Sequence, residues 1–242
     1  MNNVRTIFFD LDDTLVDHAH ARREAMRDTY ERFRAVFHQI PLDVLDRTFE
    51  KVNDELWGQL SRGEISAEEL RTQRFLRTLQ SVFALTPLIK YDLRDAFDID
   101  PYFVERYEFH TRELPDASAM LRSLHGRYAL GVLTNGLSDI QSRRLKALGW
   151  SNLFTHVVTP DTAGAMKPHG RIFEAAEHVS QCAPSEIVFV GDSHHYDIAA
   201  AKRRGWRTVW YNPSSTAPPD GSADDVVRAL GDVTRLFVRT SA

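Results

Sequence analysis

The sequence predicts an α/β protein with a Rossmann-like, doubly wound parallel sheet and an inserted all-helical cap. An apolar strand at residues 4–9 is followed by a long region of helical periodicity without a convincing strand. After Leu114-Pro115, short apolar runs alternate with amphipathic helices, which is typical of a parallel sheet covered on both faces. We therefore expect a core domain formed by residues 1–16 and 113–242 and a helical cap domain formed by residues 17–112.

The composition is that of a globular protein and disfavours several functional classes. The chain has 242 residues, of which 43% are hydrophobic and 26% charged, and this length allows a sizeable core. A net charge of -4 provides no basic field for nucleic acid. The apolar runs are too short for a signal peptide or a membrane span, and the single cysteine, Cys182, excludes an intrachain disulfide. We expect a cytoplasmic monomer or homodimer with no nucleic-acid or membrane partner.

Helical periodicity and capping signals divide the inserted region into helices. Apolar residues at helical spacing predict three helices, at residues 20–37, 42–60 and 67–83. Ser66 and Glu69 have the spacing of a capping box that opens the third helix. Asp100 and Pro101 are expected to be the N-cap and the first position of a further helix.

The second half of the chain reads as strands that alternate with helices. Strands are predicted at residues 130–133, 156–160, 187–190 and 207–212. Helices are predicted at residues 116–126, 138–149, 170–179, 196–205 and, in the tail, near 222–230. Residues 212–222 are rich in proline, serine and glycine and predict a loop. We interpret Arg143-Arg144 as cations near the negative end of a helix dipole.

Polar side chains follow three of the predicted strands at the points where they end. In doubly wound sheets, ligands bind beyond the carboxyl ends of the strands. The polar residues at these three exits are Asp10 and Asp12, Thr134 and Asn135, and Asp192 and Ser193. Carboxylates from separate strands can converge on a hard cation, and Mg²⁺ suits a site with few carboxylates and a substrate phosphate.

Lys167 adds a cation to this group because it lies in a loop just before a predicted helix. Phosphoryl transfer spreads negative charge over equatorial oxygens, which an ammonium group and a hydroxyl group such as that of Thr134 can bind. An EF-hand interpretation of the aspartate-rich stretch fails, because the stretch lacks the required glycine and the closing glutamate.

Four stretches, "DLDDT", "LTNG", "MKP" and "VGDSHHYDIAAA", occur in an order that resembles the haloacid dehalogenase superfamily of phosphatases. The long insertion after the first motif resembles that family's helical cap. Three further stretches, "RGEISAEELRTQRF", "TNGLSDIQSRRLKALG" and "GWRTVWYNP", resemble its pyrimidine 5'-nucleotidase-like branch. The resemblance implies Mg²⁺-dependent hydrolysis of a small phosphomonoester, with a nucleoside 5'-monophosphate as the expected substrate.

The resemblance also implies catalytic roles for individual residues. Asp10 would be the nucleophile that forms an aspartyl-phosphate, and Asp12 the general acid and base. Thr134 and Lys167 would hold the phosphoryl oxygens, with Asn135 and Gly136 as nearby donors.

The implied metal ligands lie in the first and the last of the four motifs. Asp10, Asp192 and the backbone carbonyl of Asp12 would bind Mg²⁺, and Asp197 would support the metal site or position Lys167.

Several alternatives remain open on the same motifs. They are a sugar-phosphate or phosphoglycolate phosphatase, a β-phosphoglucomutase-like phosphotransferase, a 2-haloacid dehalogenase, and a binding protein that has lost catalysis. Asp13 stands where typical phosphoglycolate phosphatases carry glycine, which argues against that substrate. Asp12 and the pair Asp192 and Asp197 argue against a dehalogenase, whose chemistry needs neither a second aspartate nor a metal. His18, near the first motif, is a candidate for contact with the leaving group.

Overall fold

A computed structural model describes residues 3–37, 39–84, 95–215 and 223–238. The chain divides into two compact units, one formed by Met1–His18 with Thr111–Ala242 and the other by Ala19–His110. The first unit contains the sheet, and the described part of the second is helical.

The first unit is built on a six-stranded, all-parallel sheet with the strand order β3-β2-β1-β4-β5-β6. Its strands are β1 (Thr6–Phe9), β2 (Ala129–Leu133), β3 (His156–Val158), β4 (Ile187–Gly191), β5 (Arg207–Tyr211) and β6 (Asp225–Val227). This is the order of a doubly wound sheet, in which the first strand lies at the switch point where ligands bind. The predicted fold class is confirmed.

Among the residues that the structure describes, seven helices and two short helical turns connect or follow these strands. The helices are α6 (Ala117–Leu124), α7 (Ser138–Ala147), α8 (Pro160–Ala163), α9 (Gly170–Ser180), α10 (Ala199–Arg203) and α11 (Leu230–Phe237), while α1 (His18–Arg32) begins at the boundary with the second unit. A 3-10 turn spans Pro184–Glu186, and a π-helical turn spans His194–Ile198.

The strand register brings the ends of the three central strands level. Phe9 of β1 lies opposite Val132 of β2 and Val190 of β4. Alternate side chains of β1 enter separate cores: Ile7 and Phe9 pack on one face of the sheet and Phe8 on the other. Because both faces of the sheet are buried, every residue of β1 is apolar or small enough to pack there. The first polar, chemically active side chain, Asp10, therefore comes directly after the strand ends.

The tail differs from the sequence prediction. Where a helix was predicted near residues 222–230, the described residues form strand β6, and α11 begins only at Leu230. Val226 and Val227 are β-branched and pair with β5 at the edge of the sheet, and this pairing outweighs a weak local helical pattern. Residues 216–222 of the predicted loop lie outside the described residues.

The second unit consists of helices in its described residues, 19–37, 39–84 and 95–110. After α1, these are α2 (Arg34–Phe37), α3 (Leu42–Ser61), α4 (Ala67–Ala84) and α5 (Asp95–Phe109). The Ser66–Glu69 capping box is confirmed, because each residue accepts a hydrogen bond from the other's backbone N–H. Across the part of the chain that the structure describes, no helix has the length and apolarity to cross a membrane.

The predicted N-cap at Asp100 is wrong. Helix α5 already begins at Asp95 and contains Pro101 in its interior. Asp100 is buried against Arg74 of α4, whose Nε and Nη2 both lie 2.8 Å from its Oδ1. This ion pair favours a helical Asp100, although Pro101 cannot donate an intrahelical hydrogen bond.

Replacing Arg74 by methionine is expected to destabilise this unit by about 3–5 kcal/mol, because the Asp100 carboxylate stays buried without its partner. The guanidinium also packs over the rings of Phe49 and Phe103, 5.6 and 5.1 Å from their centroids. Thermal unfolding of the single variant and of Arg74→Met/Asp100→Leu measures the effect. Recovery in the double variant is expected, and an Arg74→Met variant as stable as the matched control Arg77→Met would contradict the assignment.

Candidate active site

Three elements of the first unit bring Asp10, Lys167 and Asp197 together at the end of the central strands. Asp10 directly follows β1, Lys167 precedes α9, and Asp197 lies in the π-helical turn after β4. Lys167 Nζ donates hydrogen bonds to Asp10 Oδ1 and Asp197 Oδ1, each at 2.7 Å. All three side chains are buried, so this double ion pair is shielded from solvent.

Burial and mutual repulsion change the ionisation of this cluster. Burial raises the pKa of Asp10 well above its usual range, opposed by Lys167 and reinforced by Asp197 and Asp192. Burial and the neighbouring Asp197 raise the pKa of Asp192 to about 7. Burial disfavours the charged form of Lys167, but Asp10 and Asp197 outweigh it and raise its pKa, so Lys167 stays protonated.

Asp192 faces the same region and is held by side chains from two other segments. Thr14 Oγ1 donates to Asp192 Oδ1 at 3.1 Å and accepts from the Asp192 backbone N–H at 2.9 Å. The indole N–H of Trp210 on β5 donates to the Asp192 carbonyl at 2.8 Å. Asp10, Asp192 and Asp197 each offer a carboxylate oxygen, and these oxygens lie within 4.8 Å of one another.

Thr134, at the end of β2, is placed to donate its hydroxyl proton. Its Oγ1 accepts hydrogen bonds from the Gly136 N–H at 3.1 Å and from Gln141 Nε2 at 3.2 Å. Two accepted bonds use the acceptor sites of a hydroxyl and leave its O–H as a donor. An anionic oxygen in the site is the kind of acceptor that this donor suits.

Asn135 is bound to the backbone of Lys167. Its Nδ2 donates to the Lys167 carbonyl at 3.0 Å, and its Oδ1 accepts from the Lys167 N–H at 2.7 Å. The side chain therefore positions the Lys167 loop against β2. Direct contact of Asn135 or Gly136 with a substrate stays a prediction.

Asp12 lies in the same loop as Asp10 but is held by a different set of residues. Arg144 Nη1 donates to Asp12 Oδ1 at 2.6 Å, and Gln141 Nε2 donates to Asp12 Oδ2 at 2.9 Å. His18 Nδ1 lies 3.7 Å from Asp12 Oδ1. Burial opposes ionisation of Asp12, but the charges of Arg144 and His18 and the hydrogen bonds outweigh it and lower its pKa.

Arg144 corrects the sequence interpretation. It was expected to be a cation at the end of a helix dipole, yet its side chain is fully buried and paired with Asp12. Its neighbour Arg143 does face solvent and pairs with Asp139 at 3.2 Å. The spacing of three residues on α7 places Gln141 and Arg144 on one face of the helix, but it does not indicate that this face is buried.

The two remaining aspartates of the first loop have structural roles. Asp13 adopts the left-handed region with φ of 57°, which aspartate tolerates better than most residues. Asp17 pairs with Arg112 at 2.6 Å and donates its backbone N–H to the Arg112 carbonyl. Asp13 and Asp17 thus stabilise the backbone of the loop that follows β1.

Comparisons with known proteins identify the family. A sequence profile of the haloacid dehalogenase-like hydrolases matches residues 4–205. The glyceraldehyde 3-phosphate phosphatase of Pyrococcus furiosus is 30% identical over 99% of this chain and 95% of its own length. Pyrimidine 5'-nucleotidase YjjG of Escherichia coli is 25% identical over 96% of this chain and 97% of its own length.

The solved structures show the same fold. The magnesium-bound crystal structure of the HAD-hydrolase YfnB from Bacillus subtilis matches with a TM-score of 0.80 and 23% identity, over 98% of this chain and 99% of that one. The residues matched by the family profile include the whole acidic cluster around Lys167. This chain therefore belongs to the haloacid dehalogenase-like hydrolases and is a phosphomonoester hydrolase of that family.

Proposed function

We propose that this chain is a Mg²⁺-dependent phosphatase that hydrolyses nucleoside 5'-monophosphates through a phosphoaspartate on Asp10. The observation that carries the proposal is the pairing of Asp10 with Lys167. One carboxylate oxygen of Asp10 accepts the Lys167 hydrogen bond at 2.7 Å, and the other can serve as the nucleophile. The helical unit, Ala19–His110, is proposed to be the cap domain expected from the sequence.

In the first step, Asp10 attacks phosphorus and the bond to the leaving oxygen breaks. The Asp10–phosphorus bond forms with electrons from the carboxylate, and the leaving oxygen takes a proton from Asp12. Asp12 must carry a proton for this step, against the effect of Arg144 and His18, which lower its pKa.

The Lys167 ammonium and the Thr134 hydroxyl proton are the donors proposed to hold the phosphoryl oxygens. Lys167 is held by its hydrogen bonds to Asp10 and Asp197. Thr134 is held by the two hydrogen bonds that it accepts, so both donors need little reorganisation when charge develops.

In the second step, water releases the phosphate. Asp12 takes a proton from the water, the water oxygen bonds to phosphorus, and the phosphoaspartate bond breaks to regenerate the Asp10 carboxylate. Asp12 is then protonated again and ready to protonate the next leaving group. The same residue thus alternates between acid and base within one cycle.

The residues of the acidic cluster fit a hard divalent cation. Three carboxylates face one ammonium, so the ionised cluster keeps an excess of negative charge. Burial is the main cause of the raised pKa values of Asp10 and Asp192, and the neighbouring carboxylates add to it. Asp10, Asp192 and the Asp12 carbonyl would hold Mg²⁺, and Asp197 would support the site while it holds Lys167. Bound Mg²⁺ would supply positive charge to the phosphoryl oxygens and to the Asp10 nucleophile.

Stabilisation by Mg²⁺ is expected to grow as the pH rises. Because the pKa values of Asp10 and Asp192 are raised in the folded chain, protons stabilise the metal-free form, and this contribution is lost as the pH rises through about 7 for Asp192. Mg²⁺ needs the deprotonated carboxylates and competes with those protons. Thermal unfolding with and without Mg²⁺ should show a larger rise in the unfolding temperature near pH ~8 than near pH ~6. Mg²⁺ at a tenfold excess over its Kd should add about 1.4 kcal/mol to the free energy of unfolding.

Two results would contradict this prediction. One is an equal Mg²⁺ shift at both pH values, and the other is a full shift in Asp192→Asn. The matched control is Asp139→Asn, which removes an exposed carboxylate paired with Arg143 and should leave the shift unchanged.

The nucleotide substrate is supported by the resemblance to pyrimidine 5'-nucleotidases, and a second candidate also has support. The Pyrococcus furiosus relative at 30% identity is a glyceraldehyde 3-phosphate phosphatase, which favours a small sugar or triose phosphate. The two candidates share the reaction at phosphorus and differ only in the leaving alcohol. The substrate is expected to be a small phosphomonoester in either case.

The experiment that tests the substrate is phosphate release from a panel of phosphomonoesters, with Mg²⁺ and with EDTA. The panel holds pyrimidine and purine nucleoside monophosphates, triose and hexose phosphates, phosphoglycolate and p-nitrophenyl phosphate. The highest kcat/KM on pyrimidine monophosphates, abolished by EDTA, is the expected result. A preference for triose or hexose phosphates would overturn the nucleotide assignment and keep the mechanism. Turnover unaffected by EDTA would overturn the metal requirement.

A further inference from the structure

Gln141 and Arg144 lie on one inward face of α7 and reach the loop that carries the proposed general acid. Both side chains are buried, at 1% and 0% exposed. Their spacing of three residues places them side by side on the helix. A buried guanidinium is costly unless it is paired and hydrogen-bonded, so its partners indicate why it is there.

The hydrogen bonds of Arg144 fix its orientation. Its Nε donates to Thr111 Oγ1 at 3.0 Å, while Nη1 donates to Asp12 Oδ1 at 2.6 Å and to Gln141 Oε1 at 2.9 Å. The planar guanidinium is thus held at one edge by Thr111 and presents another to Asp12. Lysine, with a single point charge, could not reproduce this planar geometry.

Arg144 also fixes which way the Gln141 amide faces. Because a guanidinium only donates, the Gln141 oxygen must face Arg144 and its nitrogen must face the other way. That nitrogen donates to Asp12 Oδ2 at 2.9 Å and to Thr134 Oγ1 at 3.2 Å. Gln141 therefore links the proposed general acid to the proposed phosphoryl-binding hydroxyl.

Gly136 leaves the space that Gln141 occupies. A Cβ atom at residue 136 would lie 1.8 Å from Gln141 Nε2 and 2.6 Å from its Cδ. Any side chain there would displace Gln141 from Asp12 and Thr134. Three residues of the "LTNG" turn and α7 are thus packed for one arrangement of the Asp12 carboxylate.

We propose that Gln141 and Arg144 are a positioning pair that fixes the Asp12 carboxylate relative to Thr134 for accepting the proton of the attacking water. This inference rests on the proposed function of Asp12 and adds two residues to it. Arg144 and Gln141 each bind a different oxygen of Asp12, so the carboxylate cannot rotate without breaking both bonds. A misplacement of about 1 Å can lower the rate about 10²-fold.

The inference is tested by a double-mutant cycle with Asp12. The variants are Gln141→Met and Arg144→Met, each made in the wild-type chain and in an Asp12→Asn chain. Their kcat and KM are measured on p-nitrophenyl phosphate and on the best alkyl phosphomonoester of the panel. Arg143→Met, one residue away on the solvent side of α7, is the matched control.

A positioning role predicts that most of the loss disappears when Asp12 is absent. In the wild-type chain, each variant should lower kcat about 10- to 100-fold with little change in KM. In the Asp12→Asn chain, Arg144→Met should lower kcat less than about twofold, because residues that act through one group are not additive. Gln141→Met should keep only the smaller loss that comes from its hydrogen bond to Thr134. The loss in kcat should be similar on the two esters, because both are hydrolysed through the same phosphoaspartate.

Equal losses in both chains, or a wild-type kcat in Gln141→Met, would overturn the positioning role. Gln141→Met keeps the test valid if Arg144→Met fails to fold, since it leaves no charge buried. Wild-type kcat in Asp12→Asn itself would instead remove the proposed role of Asp12, and with it the inference that rests on that role.

Discussion

Asp10→Asn is expected to lower kcat for phosphate release by on the order of 10⁴-fold or more, the scale seen when a nucleophile is removed. The amide keeps the shape of the carboxylate and can still accept the Lys167 hydrogen bond, but it cannot attack phosphorus. Because Lys167 keeps its ion pair with Asp197 and burial disfavours the charged form of Asp10, the unfolding temperature should fall much less than in Lys167→Met. Steady-state kinetics on p-nitrophenyl phosphate and thermal unfolding provide the two measurements.

The matched control for this variant is Asp13→Asn in the same loop. Asn adopts the left-handed conformation of residue 13 at least as readily as aspartate, so the backbone should be retained. We expect activity within a few-fold of the wild type. Comparable activity of Asp10→Asn and Asp13→Asn would exclude Asp10 as the nucleophile.

Lys167→Met is expected to cost about 3–5 kcal/mol of stability and to abolish turnover. Removing one partner of a buried ion pair leaves an uncompensated charge, and here two carboxylates, Asp10 and Asp197, lose their shared partner. The ammonium also lies 5.3 Å from the centroid of the Phe189 ring. Methionine fills a similar volume, so the loss would come mainly from charge and hydrogen bonding.

A double variant separates the two effects of Lys167. In Lys167→Met/Asp197→Asn, one unpaired carboxylate is removed, and part of the lost stability should return while activity stays absent. Thermal unfolding and phosphate release on both variants check this. A Lys167→Met variant with wild-type stability would contradict the double ion pair, and recovered activity in the double variant would contradict a role for Lys167 in binding phosphoryl oxygens.

Much of the core fold could be predicted because its signals are local and repeated. Apolar strands that end in polar residues, and turns with glycine after helices, recur along the second half of the chain. The helix predicted near residues 222–230 was wrong, because the strand Asp225–Val227 is short and gains its stability from pairing with β5. The N-cap predicted at Asp100 was wrong, because a buried ion pair with Arg74, which is distant in sequence, favours a helical conformation of Asp100.

At the candidate site, the residues at the strand exits were predictable and their supporting contacts were not. Asp10, Asp192 and Lys167 could be identified from strand-end positions and motifs. The burial of Arg144 could not be predicted from the sequence, because an arginine late in a helix is most often solvated. Its pairing with Asp12 spans 132 positions of the chain, and such a contact leaves no local pattern.

The phosphoaspartate on Asp10 can be tested directly by locating the covalent phosphoryl group. Wild-type protein is mixed with excess p-nitrophenyl phosphate and Mg²⁺, quenched in acid during turnover, digested, and analysed by mass spectrometry. We expect a phosphoryl group on Asp10, in amounts that fall to zero in Asp10→Asn. Phosphate release with the phosphoryl group on another residue, or from an enzyme that never carries one, would contradict this expectation.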